Sequence, residues 1–484
     1  MPRTRAHTLA RWLLVFLIAV NVYRAAAQSI TTDEAFTFMR SVLTPIPELW
    51  RSYDANDHVL HTFLCKASVK LFGASEFTLR IPALLGGVLL LVSALRLCRM
   101  LFGGGWYMLA TFTLIALNPF VLDYCSIARG YGMATGFLLF SLYHLLRYLE
   151  GPFREWRLYA AGIGLALGVA ANLTVAIPGA ALVLMFAAIY LGEAGRNWPR
   201  VRARFDHIVD RMVVPCSVVM VGLLLGPLLT ARRANFYAGA ATLYESLESF
   251  NYACLWRVKN LLEDTPLHYP VEKFWLGVSL ALPGLILAAG VIVALRERKR
   301  GVMLLSGVCL LSAALLLALH GAMGVPLPER RTGLYLVPLF TLLAAVVVFR
   351  LPKWAQAIPG GLAALVLAQF LLSWNVRFYD EWLMDAGNRD LALYLRSHAP
   401  APGRKLKFGG TFPLYQGARF YSHVYHMNWL EFPPAEASPD ASYDVYFLDE
   451  KDHYLIGKRH LMLRYVEPFS KVAIAVPGDS PLRP

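Results

Sequence analysis

Long apolar runs alternate with short polar segments over residues 1–375 of this chain. Eleven of these runs have about the length that an α-helix needs to cross a bilayer. They occupy residues 9–27, 81–101, 106–122, 131–149, 157–173, 175–191, 212–230, 273–295, 301–320, 333–349 and 356–374. The pattern therefore predicts an all-α polytopic membrane bundle of about eleven spans, which forms one domain over residues 1–375.

Residues 376–484 follow a different pattern, with lower hydropathy and shorter apolar stretches. Residues 380–397 have the spacing of an amphipathic helix. Three short runs, 405–408, 444–448 and 472–476, are typical of strands. We therefore predict a small C-terminal α/β soluble domain over residues 376–484.

Positive charge accumulates on one side of the predicted bundle. If the N-terminus is cytoplasmic, the inside segments hold 19 lysines and arginines in 61 residues, and the outside loops hold 13 in 125. Loops rich in lysine and arginine are retained in the cytoplasm. We therefore expect a multi-pass protein of the plasma (inner) membrane, with a cytoplasmic N-terminus and the 376–484 domain on the periplasmic or extracellular face.

The composition agrees with a membrane protein and limits the classes of partner. Hydrophobic residues make up 57% of the chain and charged residues 16%, whereas a soluble domain has about 25% charged residues. The net charge of +14 falls mostly in short loops, so we predict membrane lipids and not nucleic acid as partners. The six cysteines have no metal-type spacing and are interpreted as small apolar side chains, although a disulfide among Cys65, Cys125 and Cys254 stays open.

The N-terminal 27 residues combine early arginines, an apolar run and a triple alanine before Gln28, as a cleaved signal peptide does. Because the apolar character extends to Ala27, retention as the first span is favoured, and cleavage remains the alternative. In both cases residues 28–80 form the first outer loop, for which we predict interfacial helices.

An acidic pair, Asp33-Glu34, follows Thr31-Thr32 at the start of this outer loop. Thr31 and Glu34 have the spacing of a capping box, which would give both a structural role. A helix start also keeps a carboxylate ionised, as a catalytic base requires. The local sequence leaves both interpretations open.

Further polar clusters lie near span ends in the outer loops, whereas the apolar runs are nearly free of ionisable residues at mid-depth. A pump or ion-coupled carrier would be expected to hold charges near the midplane. Asp57 and His58 could form a metal or acceptor site, or simply a polar turn. Arg129, Arg330 and Arg331 could bind a phosphate, or extend to the interface as ordinary anchors.

The ordered set of these motifs resembles the GT-C glycosyltransferases, and more narrowly the bacterial relatives of protein O-mannosyltransferases and lipid A aminoarabinose transferases. The resemblance covers roughly residues 10–350. It is carried by Asp33-Glu34, by Asn56-Asp57-His58 leading to residues 71–80, by the loop 128–133 and by the arginine-bearing loop 328–332. Residues 376–484 contain no motif that we can assign.

The resemblance implies a sugar transfer from a polyprenyl-phosphate carrier to a lipid, polysaccharide or protein acceptor on the outer face, with inversion at the anomeric carbon. Asp33 and Glu34 are then the catalytic carboxylates, with Asp33 as the base, since the attacking hydroxyl must lose a proton. The arginines at 129, 330 and 331 would bind the donor phosphate. Some members hold a divalent metal, for which Glu34, Asp57 and His58 are candidates, although Asp57-His58 is a variant pattern.

Two other functions remain as alternatives. In a transporter or lipid flippase the arginines would bind lipid phosphate, and Asp33-Glu34 would cap a helix. In a non-catalytic envelope assembly protein the 376–484 domain would be the contact module.

Overall fold

The computed structural model describes residues 4–482, except 52, 55, 57, 233–237, 263–265, 267, 373–374 and 434–440. The chain forms two compact units. The first unit comprises Met1–Asn21, Trp50–His61 and Pro82–Trp374, and the second comprises Val22–Leu49, Thr62–Ile81 and Asn375–Pro484.

The described part of the chain is mostly helical. In chain order its α-helices are α1 Arg5–Ala27, α2 Thr32–Thr37, α3 Ile46–Leu49, α4 Val59–Phe72, α5 Glu76–Phe102, α6 Trp106–Ala116, α7 Pro119–Asp123, α8 Gly130–Leu149, α9 Trp156–Ala171, α10 Ala176–Gly192, α11 Trp198–Ile208, α12 Val214–Thr230, α13 Leu243–Leu262, α14 His268–Glu297, α15 Arg300–Met323, α16 Leu336–Val348, α17 Ile358–Leu372, α18 Asn388–Ser397, α19 Phe412–Val424 and α20 Tyr454–Lys458. Its strands are β1 Leu406–Gly410, β2 Leu430–Glu431, β3 Val445–Leu448, β4 Met462–Val466 and β5 Ala473–Val476.

By length and composition, seven helical stretches within the described residues could cross a membrane. They are Arg5–Ala27, Glu76–Phe102, Leu173–Gly192, Trp198–Thr230, Leu276–Glu297, Arg300–Met323 and Ala355–Leu372. The multi-pass architecture is thus supported, whereas the count of eleven spans is not confirmed. The predicted span 106–122 is interrupted because Asn118 caps a new helix, α7, and Pro119 has no backbone N–H to continue α6. α9 and α16 have only 16 and 13 residues, fewer than the roughly 20 that a membrane-crossing helix needs.

In the first unit, helices from distant parts of the sequence pack side by side. α8 packs along α9, α9 against α12, and α10 against α15. Leu139 of α8, Phe186 of α10 and Leu342 of α16 are completely buried. The first unit is therefore a helical bundle with an apolar interior, as the sequence predicts.

In the second unit, residues from the C-terminal segment form a five-stranded mixed sheet in the order β2-β1-β3-β5-β4. β1 runs parallel to β2 and β3, and α19 connects β1 to β2. β5 runs antiparallel to β3 and β4. The side chains of β3 and β5 are buried throughout, which explains their unbroken apolar sequences. The predicted small α/β fold is therefore present.

The amphipathic helix predicted over residues 380–397 is divided in two. A 3₁₀ segment covers Asp380–Asp385, with Trp382 in a non-helical conformation, and α18 begins at Asn388. The break allows the Asp385 side chain to turn inward, where it is only 1% exposed. The single-helix prediction was therefore wrong at the point where a polar contact is made.

All six cysteines are free, so the structure contains no disulfide between Cys65, Cys125 and Cys254. Cys65, Cys125 and two others are buried, as expected of cysteines that serve as small apolar side chains.

Candidate active site

The helix that carries the acidic pair, α2, begins with the predicted capping box. Thr31 Oγ1 accepts a hydrogen bond from the Glu34 N–H at 3.4 Å, and the Thr31 N–H donates to Glu34 Oε2 at 2.9 Å. Two backbone amides at the helix start therefore have side-chain partners. A π-helical segment, Phe38–Val42, continues α2. The backbone that carries Asp33 is thus fixed at its entry.

Glu34 forms a fully buried ion pair with Arg80, the fifth residue of α5. Arg80 Nε donates to Glu34 Oε1 at 2.8 Å, and Nη2 donates to Oε2 at 2.6 Å. The remaining guanidinium hydrogens are donated to the carbonyl oxygens of Ala25, Gln28 and Ser29. Both charges are compensated and hydrogen-bonded, which is the condition under which a buried pair is tolerated. Glu34 therefore has a structural function.

Asp33 is the more accessible member of the acidic pair. Its side chain is partly exposed, although its Oδ2 atom is buried, whereas Thr32, Glu34 and Ala35 are buried as whole residues. A substrate can therefore reach Asp33 more easily than Glu34.

A third carboxylate, Asp385, lies beside Asp33 and was not predicted as a site residue. Asp385 Oδ2 accepts the Thr32 N–H at 2.6 Å, and both carboxylate oxygens lie 2.9 Å from Thr32 Oγ1. Burial raises the pKa of Asp385 to about 7, the hydrogen bonds from Thr32 and Asn388 oppose this rise, and the charge of Asp33 adds to it. No local signal marks Asp385, since it lies 353 residues from its partner in the sequence.

In the first unit, Arg129 is 1% exposed and precedes α8 directly. Its Nη2 donates to Asn56 Oδ1 at 2.5 Å, and its Nη1 donates to the Asn56 carbonyl oxygen at 3.2 Å. Its guanidinium lies over the ring of Tyr131, 5.9 Å from the centroid. The structure therefore joins two of the predicted motifs, the loop around residue 56 and the loop that opens α8.

The glycines of the sequence Arg129-Gly130-Tyr131-Gly132 permit this arrangement. A Cβ atom on Gly130 would lie 2.0 Å from the Ala171 carbonyl oxygen and 2.9 Å from His58 Cβ. A Cβ on Gly132 would lie 1.9 Å from the Tyr124 carbonyl oxygen. Side chains cannot occupy these positions without moving the backbone, so the two glycines bring the start of α8 against His58.

His58 is buried and borders a cavity of about 290 Å³ in the first unit. Its Nδ1 lies 2.8 Å from Asn172 Nδ2, and Asn172 Oδ1 accepts the Thr174 N–H. Burial lowers the pKa of His58 well below its ordinary value, and the charges of Arg129, His61 and Arg331 lower it further. Burial and Arg129 also lower the pKa of His61, to about 3. Both imidazoles are therefore neutral at physiological pH.

The cavity has an apolar wall with a few polar groups, the usual composition of a ligand site. Its polar groups come from seven residues: Tyr53, His58, Tyr131, Asn172, Thr174, Thr332 and Tyr335. The remaining lining is mainly aliphatic and includes Leu173, Ile177, Leu316, Val325 and Leu327. Arg129 is not among the described lining residues, but its charge acts on His58, which is.

The two later arginines differ in their surroundings. Arg331 is half-buried, precedes the cavity-lining Thr332, and acts electrostatically on His58. Arg330 is exposed and lies over the ring of Tyr252, 4.8 Å from the centroid. The charges of Arg129 and Arg331 therefore both act on His58. Asp57, the remaining predicted site residue, lies outside the described residues.

Two of the predicted metal ligands, Glu34 and His58, have surroundings that do not favour a metal ion. Both oxygens of Glu34 are occupied by Arg80, and His58 lies in the positive field of Arg129 and Arg331. Among the residues that the structure describes, no group of three or more His, Cys, Asp or Glu side chains is placed to hold a metal.

Comparison with known proteins identifies the fold. Residues 57–205 match the family model described as dolichyl-phosphate-mannose-protein mannosyltransferase. The structure is similar to ArnT from Cupriavidus metallidurans in the apo state, with 14% identity and a TM-score of 0.50 over 99% of this chain and 100% of that chain. No curated protein matches the sequence.

Two further structures show weaker likenesses. ArnT from Cupriavidus metallidurans bound to undecaprenyl phosphate is 13% identical, covers 99% of both chains and has a TM-score of 0.49. The Archaeoglobus fulgidus oligosaccharyltransferase in complex with Zn and sulfate is 12% identical, over 96% of this chain and 74% of that chain, with a TM-score of 0.46.

At 14% identity the match to the apo ArnT structure establishes the fold alone. Together with the family match, it confirms the predicted resemblance: the chain has the GT-C fold. The catalytic and binding roles of Asp33, His58 and the arginines stay predictions from the sequence, which did not indicate Arg80 as the partner of Glu34 or the contact of Asp385 with Thr32.

Proposed function

We propose that this protein is a membrane glycosyltransferase that moves a sugar from a polyprenyl-phosphate carrier to a hydroxyl group of a lipid, glycan or protein acceptor on the outer face of the membrane. The GT-C fold and the family match over residues 57–205 support the reaction class. The observation that carries the proposal is a largely apolar cavity of about 290 Å³, bordered by His58, on which the charges of Arg129 and Arg331 act. A lipid phosphate requires both properties, an apolar wall for the chain and cations for the head group.

In the proposed reaction the acceptor oxygen attacks the anomeric carbon of the donor. A C–O bond forms to the acceptor, and the bond between the anomeric carbon and the phosphate oxygen breaks. A single displacement of this kind inverts the anomeric centre. The acceptor hydroxyl loses its proton as it attacks, and Asp33 receives that proton as general base. The capped start of α2 keeps the Asp33 carboxylate in a defined position, as efficient proton transfer requires.

The leaving group is polyprenyl phosphate, which gains one negative charge as the bond breaks. Arginine stabilises such charge well, because its guanidinium offers several donors in a plane and remains protonated. Arg129 and Arg331 are the proposed donors, and Arg330 is the exposed residue that would meet the phosphate at entry. Because His58 is neutral, it would contribute hydrogen bonding and not charge.

Glu34 supports Asp33 indirectly in this proposal. Its carboxylate closes the capping box and anchors Arg80, so its removal would displace the base without removing it. Asp57 is retained as a candidate acceptor-binding residue from the sequence.

The test is mass spectrometry of envelope glycolipids and glycoproteins from cells that express wild-type protein or the Asp33→Asn variant. We expect the variant to insert normally and to lose a product that differs by the mass of a hexose or pentose. The matched control is Asp390→Asn, which changes an exposed aspartate in the first turn of α18 and should leave the product in place.

Retention of the product in the Asp33→Asn variant would show that Asp33 is not the base. If no product mass depends on the gene at all, while lipid transport across the membrane does, the protein is a flippase. The third outcome is that replacement of Asp33, Arg129 and Arg331 leaves the envelope unchanged, whereas deletion of residues 376–484 abolishes its assembly. The protein would then be a non-catalytic envelope assembly protein.

A further inference from the structure

The C-terminal segment holds the residues that lead into α2. Within the second unit, five residues of this segment form hydrogen bonds with residues 26–30. The carbonyl oxygens of Phe378 and Ala386 accept from the side chains of Gln28 and Ser29, and Tyr421 Oη accepts from the Ile30 N–H. Asn388 Nδ2 donates to the Ile30 carbonyl oxygen, and the Arg389 guanidinium donates to those of Ala26 and Ala27. The distances lie between 2.7 and 3.1 Å. The approach to the acidic helix is therefore fixed by residues more than 300 positions away.

Asp385 extends this contact into α2 itself. Its carboxylate accepts both the backbone N–H and the hydroxyl of Thr32, the residue directly before Asp33. Asn388 Nδ2 donates to Asp385 Oδ1 at 3.0 Å and so holds the carboxylate from its other side. The residues involved are at least 90% buried, and hydrogen bonds without competing water are strong.

Two hydrogen bonds restrain the first turn of α2 on either side of Asp33. The Thr31 N–H donates to the Glu34 carboxylate, and the Thr32 N–H donates to the Asp385 side chain. The backbone is therefore held on the residue before Asp33 and on the residue after it. The charge of Asp33 also acts on Asp385.

We propose that Asp385 is a positioning residue for Asp33: by binding the N–H and hydroxyl of Thr32, it holds the first turn of α2 in the orientation that proton transfer requires. The C-terminal domain thereby becomes part of the catalytic apparatus without touching the substrate. This inference rests on the proposed function of Asp33 as the base.

The experiment compares matched variants of the full-length protein. Asp385→Ala removes the acceptor, Thr32→Val removes the hydroxyl, and Thr32→Ser retains it. The control is Asp444→Ala, which removes another carboxylate of the same unit that accepts a backbone N–H, from Lys407 at 2.7 Å, at a site away from α2. Two quantities are measured: hydrogen exchange of the peptide that covers residues 31–38, and the rate at which the sugar-dependent envelope product accumulates at equal amounts of membrane-inserted protein.

We expect Asp385→Ala and Thr32→Val to accelerate hydrogen exchange in residues 31–38 by about ten-fold or more, the effect of losing a buried hydrogen bond. We expect the product rate to fall by about ten- to a hundred-fold, since small displacements of a catalytic group have such effects. Thr32→Ser should restore both quantities to near the wild-type level, and Asp444→Ala should change neither.

The inference is overturned if Asp385→Ala leaves exchange of residues 31–38 and the product rate unchanged. It is also overturned if exchange rises equally throughout the unit, including β3 and β5, because Asp385 would then have a general structural role. If Asp33→Asn retains the product while exchange of residues 31–38 still depends on Asp385, the positioning contact is correct and the assignment of Asp33 as base is wrong.

Discussion

Arg80 and Glu34 form a bidentate ion pair in the second unit, with N–O distances of 2.8 and 2.6 Å and no exposure of either side chain. Arg80 also binds the carbonyl oxygens at the end of α1, while Glu34 closes the cap of α2. One arginine therefore joins the C-terminal end of α1, the start of α2 and the start of α5. Glu34 thus anchors the start of α2, the helix that carries Asp33.

Loss of Arg80 should be severely destabilising. Arg80→Met leaves the buried Glu34 charge without a partner, which costs about 3–5 kcal/mol of unfolding free energy. Thermal unfolding of the detergent-solubilised protein measures the effect, with Arg404→Met, at an exposed position of the same unit, as the control. The double variant Glu34→Leu, Arg80→Met should recover part of the loss. A double variant less stable than Arg80→Met would show that the pair is not the source of the effect.

Arg129 should not tolerate replacement by lysine. Lysine retains the charge but cannot reproduce the planar guanidinium, whose Nη1 and Nη2 donate to the backbone and side-chain oxygens of Asn56. We expect Arg129→Lys to reduce the rate of envelope product formation by about a hundred-fold, the usual cost of losing one group that stabilises developing charge. Arg154→Lys, at an exposed position of the first unit, should retain the full rate. Equal activity of the two variants would exclude a specific function of the Arg129 guanidinium.

Gly130→Ala should disrupt the wall of the cavity. The added methyl group would meet the Ala171 carbonyl oxygen at 2.0 Å and His58 Cβ at 2.9 Å, and overpacking of this kind costs about 1–3 kcal/mol. Gly361→Ala in α17 is the control, because nothing lies within 4 Å of its Cβ position. Thermal unfolding should show a loss for Gly130→Ala and no loss for Gly361→Ala. Unchanged stability of Gly130→Ala would mean that α8 can move away from His58 without cost.

The stability of the second unit should depend on pH through Asp385. Burial raises the pKa of this group to about 7, whereas an aspartate in the unfolded chain has a pKa of about 4. The folded protein therefore binds the proton of Asp385 more tightly than the unfolded chain does. The contribution of this proton to the free energy of unfolding is complete below pH 4 and is lost as the pH rises through about 7. Asp385→Asn does not titrate, so the stability difference between wild type and this variant should be smaller at pH 8 than at pH 5. Unfolding midpoints at both pH values check this, and a difference that grows with pH would contradict it.

The acidic motif shows how far a local pattern can be interpreted. The capping box was predictable, because both of its partners lie within four residues of one another and act through the backbone. The Arg80 pair was not, since an arginine at the end of an apolar run is also typical of an interfacial anchor. The contact between Thr32 and Asp385 spans 353 residues, and no spacing rule connects them.

The sequence by itself determined the membrane character, the helical bundle, the C-terminal sheet and the set of polar motifs. These properties follow from the hydropathy and periodicity of neighbouring residues, and they do not depend on which distant segments meet. The tertiary structure alone decided what each motif residue contacts: Glu34 became a buried partner of Arg80, Arg129 met Asn56, and His58 became a neutral group at a cavity. Asp33 is therefore the candidate base, and Glu34 is an anchor. The two differ in burial, and burial results from packing between distant segments of the chain.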